Sequence, residues 1–235
     1  MSNISKALQG LKRFTTCDVR NSPLSLPILE LTQPPHQIGD ALVKLKQPYG
    51  GYLDGLKMYS PGGGSIYGPA ITVKMVETNS PGPMPPMHFA DANKEGHIMY
   101  ISQPKGMYSA CWGGLMSTRA QKLGSLGTMI DGRMRDTREH VEMGYPVFAR
   151  DTAVPGSNTF TRASEINVPV QFKGDLWVYP NDILVGDENG AVVVPPSLLE
   201  QVVELCQERF EIDEKTMQAL RAGEPMGATI KRLRK

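Results

Sequence analysis

The pattern of apolar and polar positions changes period along the chain. Residues 69–77, PAITVKMVE, alternate with β-branched residues and read as a strand. HIMYIS (97–102) is a second strand, and TMI (128–130) and PVFA (146–149) are short apolar runs of the kind a buried strand shows. Between these runs the period lengthens to that of a helix. LMSTRAQKL (115–123) places Leu115, Met116, Ala120 and Leu123 near one face and is stopped by Gly124, and TREHVEM (137–143) is stopped by Gly144. INVPVQF (166–172) and LWVYP (176–180) alternate again, as antiparallel strands do. ILVGDENGAVVVP (183–195) predicts a hairpin around Asp187, Glu188, Asn189 and Gly190.

The strongest helix signal spans residues 197–222. Ser197 and Glu200 have the spacing of a capping box, and Leu199, Val202, Val203, Cys206 and Phe210 form one stripe. Helix and strand alternate in the middle of the chain and antiparallel strands follow, which predicts a layered α/β fold. At 235 residues the chain suits one large domain, 1–235, with residues 1–66 its least patterned part. MSNISKALQGLKRF, at the start, reads as a first helix; it lacks the apolar run of a secretory signal or membrane span. Residues 22–36 and 79–87 are proline-rich and irregular, and YSPGGGSIYG (59–68) is a glycine-rich connection without the Lys-Ser/Thr ending of a phosphate loop.

Charge and cysteine content remove several function classes. Twenty-five Lys+Arg against 24 Asp+Glu leave a net charge of +1, which argues against a nucleic-acid partner. The basic end KRLRK reads as a solvated terminus. Cys17, Cys111 and Cys206 form no CxxC pair, so no zinc site is expected, and so sparse a set suits a reducing, cytoplasmic setting. His36 and His140 are isolated, and no metal motif joins His88, Asp91 and His97, so a nucleophilic triad has little support.

The chemistry concentrates in GTMIDGRMRD (127–136). In the plainer reading, Asp136 and Glu139 are the first and last residues of a capping pattern, Asp-x-x-Glu, and Arg133 and Arg135 are solvated. In the sharper reading, the cluster lies at the carboxyl end of a strand, where α/β proteins bind ligands. There Arg135 offers a fork for a carboxylate and Asp136 a hard oxygen ligand. The Gly113-Gly114 helix start upstream offers free amides, with Leu115 and Met116 first in line.

Gly114, Arg135, Asp136 and Glu139 together spell Gly-x20-Arg-Asp-x2-Glu. This pattern resembles the RraA-like family, which includes class II 4-hydroxy-4-methyl-2-oxoglutarate aldolases and the regulator of ribonuclease E activity. YGPAITV (67–73), GGLMSTRAQKLGSLGTMIDGRMRD (113–136), YPVFAR (145–150), INVPV (166–170) and GDENGAVVVP (186–195) resemble family segments in family order. GGLMSTRAQ, with GRMRD, is especially similar to fungal members.

The resemblance implies an α/β/β sandwich of the swivelling phosphohistidine-domain type with a C-terminal helix. It implies a homotrimer or hexamer with sites between subunits, and lyase chemistry on small 2-oxo acids with Mg or Mn. By residue, Asp136 matches the metal ligand. Arg135 matches the catalytic residue that binds the pyruvyl group and stabilises its enolate. Gly114, Leu115 and Met116 match the helix start that holds the substrate carboxylate, and Glu139 an acid acting through metal-bound water. Glu211, with Asp213 behind it, matches an acid supplied by a neighbouring subunit. Bacterial members often carry an acid where this chain has Gly114, which is a departure. The alternative the family offers is a protein-binding regulator without catalysis.

Overall fold

The computed structural model describes residues 38–61 and 64–234. The expected first helix, the proline-rich 22–36 stretch, Cys17 and His36 lie outside the described residues. Ten strands and five α-helices are described. In chain order they are α1 (Ile38–Lys44), β1 (Lys57–Ser60), β2 (Ile66–Glu77), β3 (Ile98–Ser102), α2 (Gly114–Lys122), β4 (Gly127–Met134), α3 (Thr137–Met143), β5 (Val147–Thr152), β6 (Thr161–Ile166), β7 (Val170–Lys173), β8 (Leu176–Val178), β9 (Ile183–Asp187), β10 (Gly190–Val194), α4 (Leu199–Arg221) and α5 (Met226–Leu233).

One sheet runs in the order β1-β5-β4-β3-β2-β9-β10, with β6 also paired to the long β2. β2, β3, β4 and β5 are parallel to one another, and β1, β6 and β9 join them, and β10 joins β9, in antiparallel pairs. Leu53 N–H donates to Ala191 O (2.9 Å), and Tyr52 bridges Val192 just before β1. The sheet thereby nearly closes on itself. A separate β7–β8 hairpin contributes Phe172 and Leu176 to its interior.

Alternation along the strands divides the core. Tyr100, Met129, Phe148, Leu184 and Val193 fill the closed side. Met99, Ile101, Ile130 and Val147 face outward under Trp112 and Ala120. α1 and α4 cover β9 and β10 through Ile38, Leu42, Leu199, Val202 and Cys206. Each such fully buried side chain contributes roughly 1.5–3 kcal/mol of transfer free energy. The β3–α2–β4–α3–β5 run leaves the carboxyl ends of three parallel strands at one end of the sheet, and the Gly-Arg-Asp-Glu motif lies there.

Several expectations are corrected. The strand predicted over 166–172 is two strands: β6 ends at Ile166, Asn167 takes a left-handed φ of 57°, and β7 starts at Val170. Ser197 does not cap α4; it lies in a short 3-10 turn, Pro196–Leu198, and α4 begins after Leu198 without a side-chain cap. Two prolines ahead of Ser197 favour that tighter turn. The predicted solvated basic end is mostly helical (α5), with Arg232 paired to Glu224 and Arg234 to Asp213. Leu115 does not join the core but is 88% exposed, while Ser117 and Ala120 make the buried face of α2. Among the described residues, no helix is long and apolar enough to cross a membrane.

Candidate active site at the start of α2

The segment before α2 runs beside the end of β4. Cys111 N–H donates to Arg133 O (2.9 Å) and Arg135 N–H to Trp112 O (3.0 Å). These bonds set Gly113-Gly114 next to Arg135-Asp136. Trp112 is fully buried, and its indole N–H donates to Ser117 Oγ at 2.7 Å, anchoring the first turn of α2.

Asp136 does not cap its own helix with its side chain. It occupies the N-cap position of α3 but has left-handed dihedrals (φ 63°, ψ 37°) and makes no side-chain cap bond there. Its Oδ2 accepts Gly114 N–H at 3.0 Å, at the start of α2. The carboxylate is thus turned away from its own helix and across to the neighbouring one, where the helix dipole favours a negative charge. Arg135 Nε lies 3.6 Å from the same oxygen. Both groups are substantially exposed, so the pair adds little to stability.

Three glycines make room for these side chains. A Cβ on Gly113 would lie 2.6 Å from Asp136 Oδ2, and one on Gly156 would lie 3.0 Å from Arg135 Nη1. A Cβ on Gly114 would fall 1.7 Å from Glu139 Oε2. Glu139 therefore stands over the position from which a side chain at 114 would grow. In this chain the space next to the helix start holds a carboxylate contributed by α3.

The two expected amides differ. Met116 N–H donates to Gly113 O at 3.0 Å in a tight first turn, whereas Leu115 N–H carries no such bond and points from the helix start with the dipole behind it. Glu211 is not brought to this site within one chain. It is exposed on α4, where it accepts a bond from Gln207, and α4 packs on α1 and α5. Asp213, behind it, is buried in ion pairs with Arg209 and Arg234.

His140, passed over in the sequence as isolated, is fully buried beneath the motif. Its Nε2 lies 2.8 Å from Arg135 O. A carbonyl can only accept, so Nε2 carries the proton, and Nδ1 has no partner among the described residues. Burial pulls the imidazole pKa below its usual value, against the raising pull of the Arg135 bond and of Asp136 and Glu139. The Arg135 peptide is thereby held at both ends, by Trp112 and by His140. Only the spacing His-x4 after Arg135 signals this, and it is too common to be read.

Among the described residues, no group of three or more His, Cys, Asp or Glu forms a metal cluster. Such a cluster is what zinc would require. Mg binds through one or two carboxylates and keeps several waters. Asp136, whose Oδ2 takes the Gly114 bond and whose Oδ1 accepts none from the described residues, and Glu139 over Gly114 fit that kind of hydrated hard cation.

Arg133 is partly exposed, as its sequence suggests, but its guanidinium is fixed. It donates to Met107 O and Thr152 O and pairs with Asp151 at 2.8 Å. Asp131, from the same segment, is buried and paired with Arg150 on the closed side of the sheet. Burial raises its pKa, opposed by the Arg150 bond and charge. The other histidines and acids considered are ordinary: His88 Nδ1 accepts from Ala90 N–H, Asp91 pairs with Arg119, and Asp187 accepts from Asn189 N–H in the β9–β10 turn. Cys111 and Cys206 are free and buried, with thiols pushed up to about 12 by burial.

Residues 36–193 match the model of the RraA-like family, Aldolase/RraA. The chain is 32% identical over 175 residues to an uncharacterized protein of Methanocaldococcus jannaschii, covering 74% of this chain and 82% of that one. It is 28% identical over 155 residues to a Halalkalibacterium halodurans protein provisionally named 4-hydroxy-4-methyl-2-oxoglutarate aldolase, covering 66% and 71%. In three dimensions it resembles an uncharacterized protein from Pseudomonas syringae pv. tomato, with a TM-score of 0.77, 24% identity and 96% of each chain covered. It also resembles Streptomyces coelicolor RraAS2, described as an unusual member of the RNase ES inhibitor RraA protein family, with a TM-score of 0.68, 22% identity and coverage of 89% and 94%. At these identities the structural likenesses speak for the fold alone. By the family match over two thirds of its length, the chain belongs to the RraA-like family.

Proposed function

We propose that this protein is a divalent-metal-dependent carbon–carbon lyase that releases pyruvate from small 2-oxo acids. The observation that carries this reading is the convergence of Arg135, Asp136, Glu139 and the free Leu115 amide on the start of α2. A Thermus thermophilus relative, 27% identical over 100 residues (43% of this chain, 60% of that one), is named 4-hydroxy-4-methyl-2-oxoglutarate aldolase, which supports it.

Mg or Mn, held by Asp136 with help from Glu139, would supply Lewis-acid polarisation of the carboxylate and keto oxygens of the 2-oxo acid. The protein's own groups do the rest. Leu115 N–H and the α2 dipole hold the substrate carboxylate. Arg135, permanently charged, faces the oxygen on which negative charge grows. In 4-hydroxy-4-methyl-2-oxoglutarate the C3–C4 bond breaks. Its electron pair passes to the C2 keto oxygen as an enolate, and the C4 hydroxyl proton leaves as the new ketone forms. Glu139 is placed to receive that proton through water. In oxaloacetate the same bond breaks with loss of CO2, and no base is required. Protonation of the enolate at carbon gives pyruvate in both cases.

The exposed Leu115, at the start of α2, leaves apolar surface at this site. That surface suits a homotrimer or hexamer in which a neighbouring copy closes the site and contributes an acid such as Glu211. The test is pyruvate release from a panel of 2-oxo acids with Mg, with Mn and with chelator. Turnover restricted to the metal-containing reactions supports the reading. Inactivity on every substrate, together with a stoichiometric protein partner, would replace it with the regulator reading.

A further inference from the structure

The closed side of the sheet opens at the carboxyl ends of β3, β4 and β5 into a cavity of about 480 Å³. It is distinct from the α2 site: Asp131 points into the interior shared with Tyr100 and Phe172, while Ile130 and Met134 on the same strand face Trp112 under α2. Barrel mouths and the carboxyl ends of parallel strands are both common places for small ligands.

The floor of this mouth is built rather than incidental. Arg150 donates to Asp131 through Nε and to Asp54 O through Nη1 (3.1 Å), and neither bond uses Nη2. Its guanidinium carbon lies 4.9 Å from the centre of the Phe172 ring. Gly55 leaves it room, since a Cβ there would be 2.8 Å from Arg150 Nη1. Gln103 folds over Gly132 and is fixed at both ends, donating to Ser109 O (2.8 Å) and accepting from Arg133 N–H (2.9 Å). Behind the lining residues, the buried hydroxyls of Tyr100 and Ser109 have no hydrogen-bond partner among the described residues, though neither residue lines the cavity itself. Such groups normally find one, in water or in a ligand.

The charges around the mouth do not cancel. Lys105, Arg133, Arg150 and Lys173 line it together with Asp54, Asp131 and Asp151. Three pairs use all three carboxylates: Arg133–Asp151, Arg150–Asp131 and Lys173–Asp54. Lys105 is left over, on the loop that forms one wall. Phe172, Met107 and Tyr108 add apolar wall around it.

We propose that the barrel mouth is a second binding site, for a small oxyanion (a carboxylate or a phosphate monoester), contacted by Lys105 and by the unused edge of Arg150. Its existence does not depend on the lyase reading. The test titrates the full-length chain with inorganic phosphate and, separately, with malonate, by calorimetry at constant ionic strength. Wild type, Arg135→Ala, Lys105→Gln and, as a control on α2, Lys122→Gln are compared. A saturable site is expected in wild type and retained in Arg135→Ala, which disables anion binding at α2. It should weaken about tenfold in Lys105→Gln, which loses one charged hydrogen bond, and stay unchanged in Lys122→Gln. Preference for phosphate identifies a phosphate monoester as the ligand class, and preference for malonate a carboxylate. Loss of binding in Arg135→Ala would assign the anion to the α2 site instead. Equal binding in wild type and Lys105→Gln, or none to either probe, would overturn the proposal.

Discussion

Gly114→Ala is the sharpest perturbation the structure suggests, because its effect on stability and its effect on activity should part company. The added Cβ would sit 1.7 Å from Glu139 Oε2 and 2.8 Å from Glu139 Cδ, whereas ordinary contact begins near 3.4 Å. The carboxylate must therefore retreat by about 1.7 Å, the difference between ordinary contact and the present separation. Glu139 is exposed and can swing outward, so overpacking strain should stay at or below the ~1 kcal/mol end of its usual range. Replacing a helical glycine returns a similar amount, up to about 1 kcal/mol. Stability should change by less than about 1 kcal/mol in either direction. Activity should fall much further, because a misplacement of about 1 Å in a reacting group can cost on the order of 10²-fold. Steady-state pyruvate release and chemical denaturation would be measured on Gly114→Ala, Glu139→Ala and the double variant. The two single losses should be similar, and the double variant no worse than either, since both remove the same carboxylate from the same place. Wild-type activity in Gly114→Ala alongside a large loss in Glu139→Ala would refute the reasoning, as would losses that multiply.

Two further predictions concern groups around this site and the barrel. His140→Leu should remove the donor to Arg135 O and cost about 1–3 kcal/mol, with His140→Gln recovering part of it through its amide N–H; urea denaturation reads both, and equal stability in all three proteins would contradict the role given to His140. Asp182 is buried, with its carboxyl pushed up to about 6 despite accepting Tyr179 N–H. Between pH 4 and 6 the folded chain then holds more of this proton than the unfolded chain, so this group's contribution falls as pH rises through that window. Asp182→Asn should flatten that part of the stability–pH curve, and an unchanged slope would contradict the assignment.

Much of the fold is legible in the sequence because its signals are local. The β-branched alternation of PAITVKMVE and the glycine stops after α2 and α3 act within a few residues. What stays hidden depends on contacts across the chain. Ser197 and Glu200 have the right spacing for a cap, yet the prolines before them take the backbone into a 3-10 turn. Leu115 has the apolar character of a core residue but sits at a helix start whose surroundings are open. At the site, the Gly-Arg-Asp-Glu spacing marks the residues, but the direction of Asp136 follows from its left-handed backbone, which an Asp-x-x-Glu pattern does not specify. Asp131 and Arg150 are nineteen positions apart and meet only because β4 and β5 are neighbours in the sheet. The barrel-mouth cluster therefore has no signature along the chain.

The central claim is that cleavage of a 2-oxo acid takes place against Arg135, beside a metal held by Asp136. The most direct measurement is pyruvate release from 4-hydroxy-4-methyl-2-oxoglutarate in the presence of Mg, comparing wild type with Arg135→Ala at matched folding. The account predicts metal-dependent turnover in wild type and a loss on the order of 10²–10³-fold in kcat for the variant, as for removal of one preorganised charge-stabilising group. Equal turnover in the two proteins, or turnover indifferent to Mg, would contradict it.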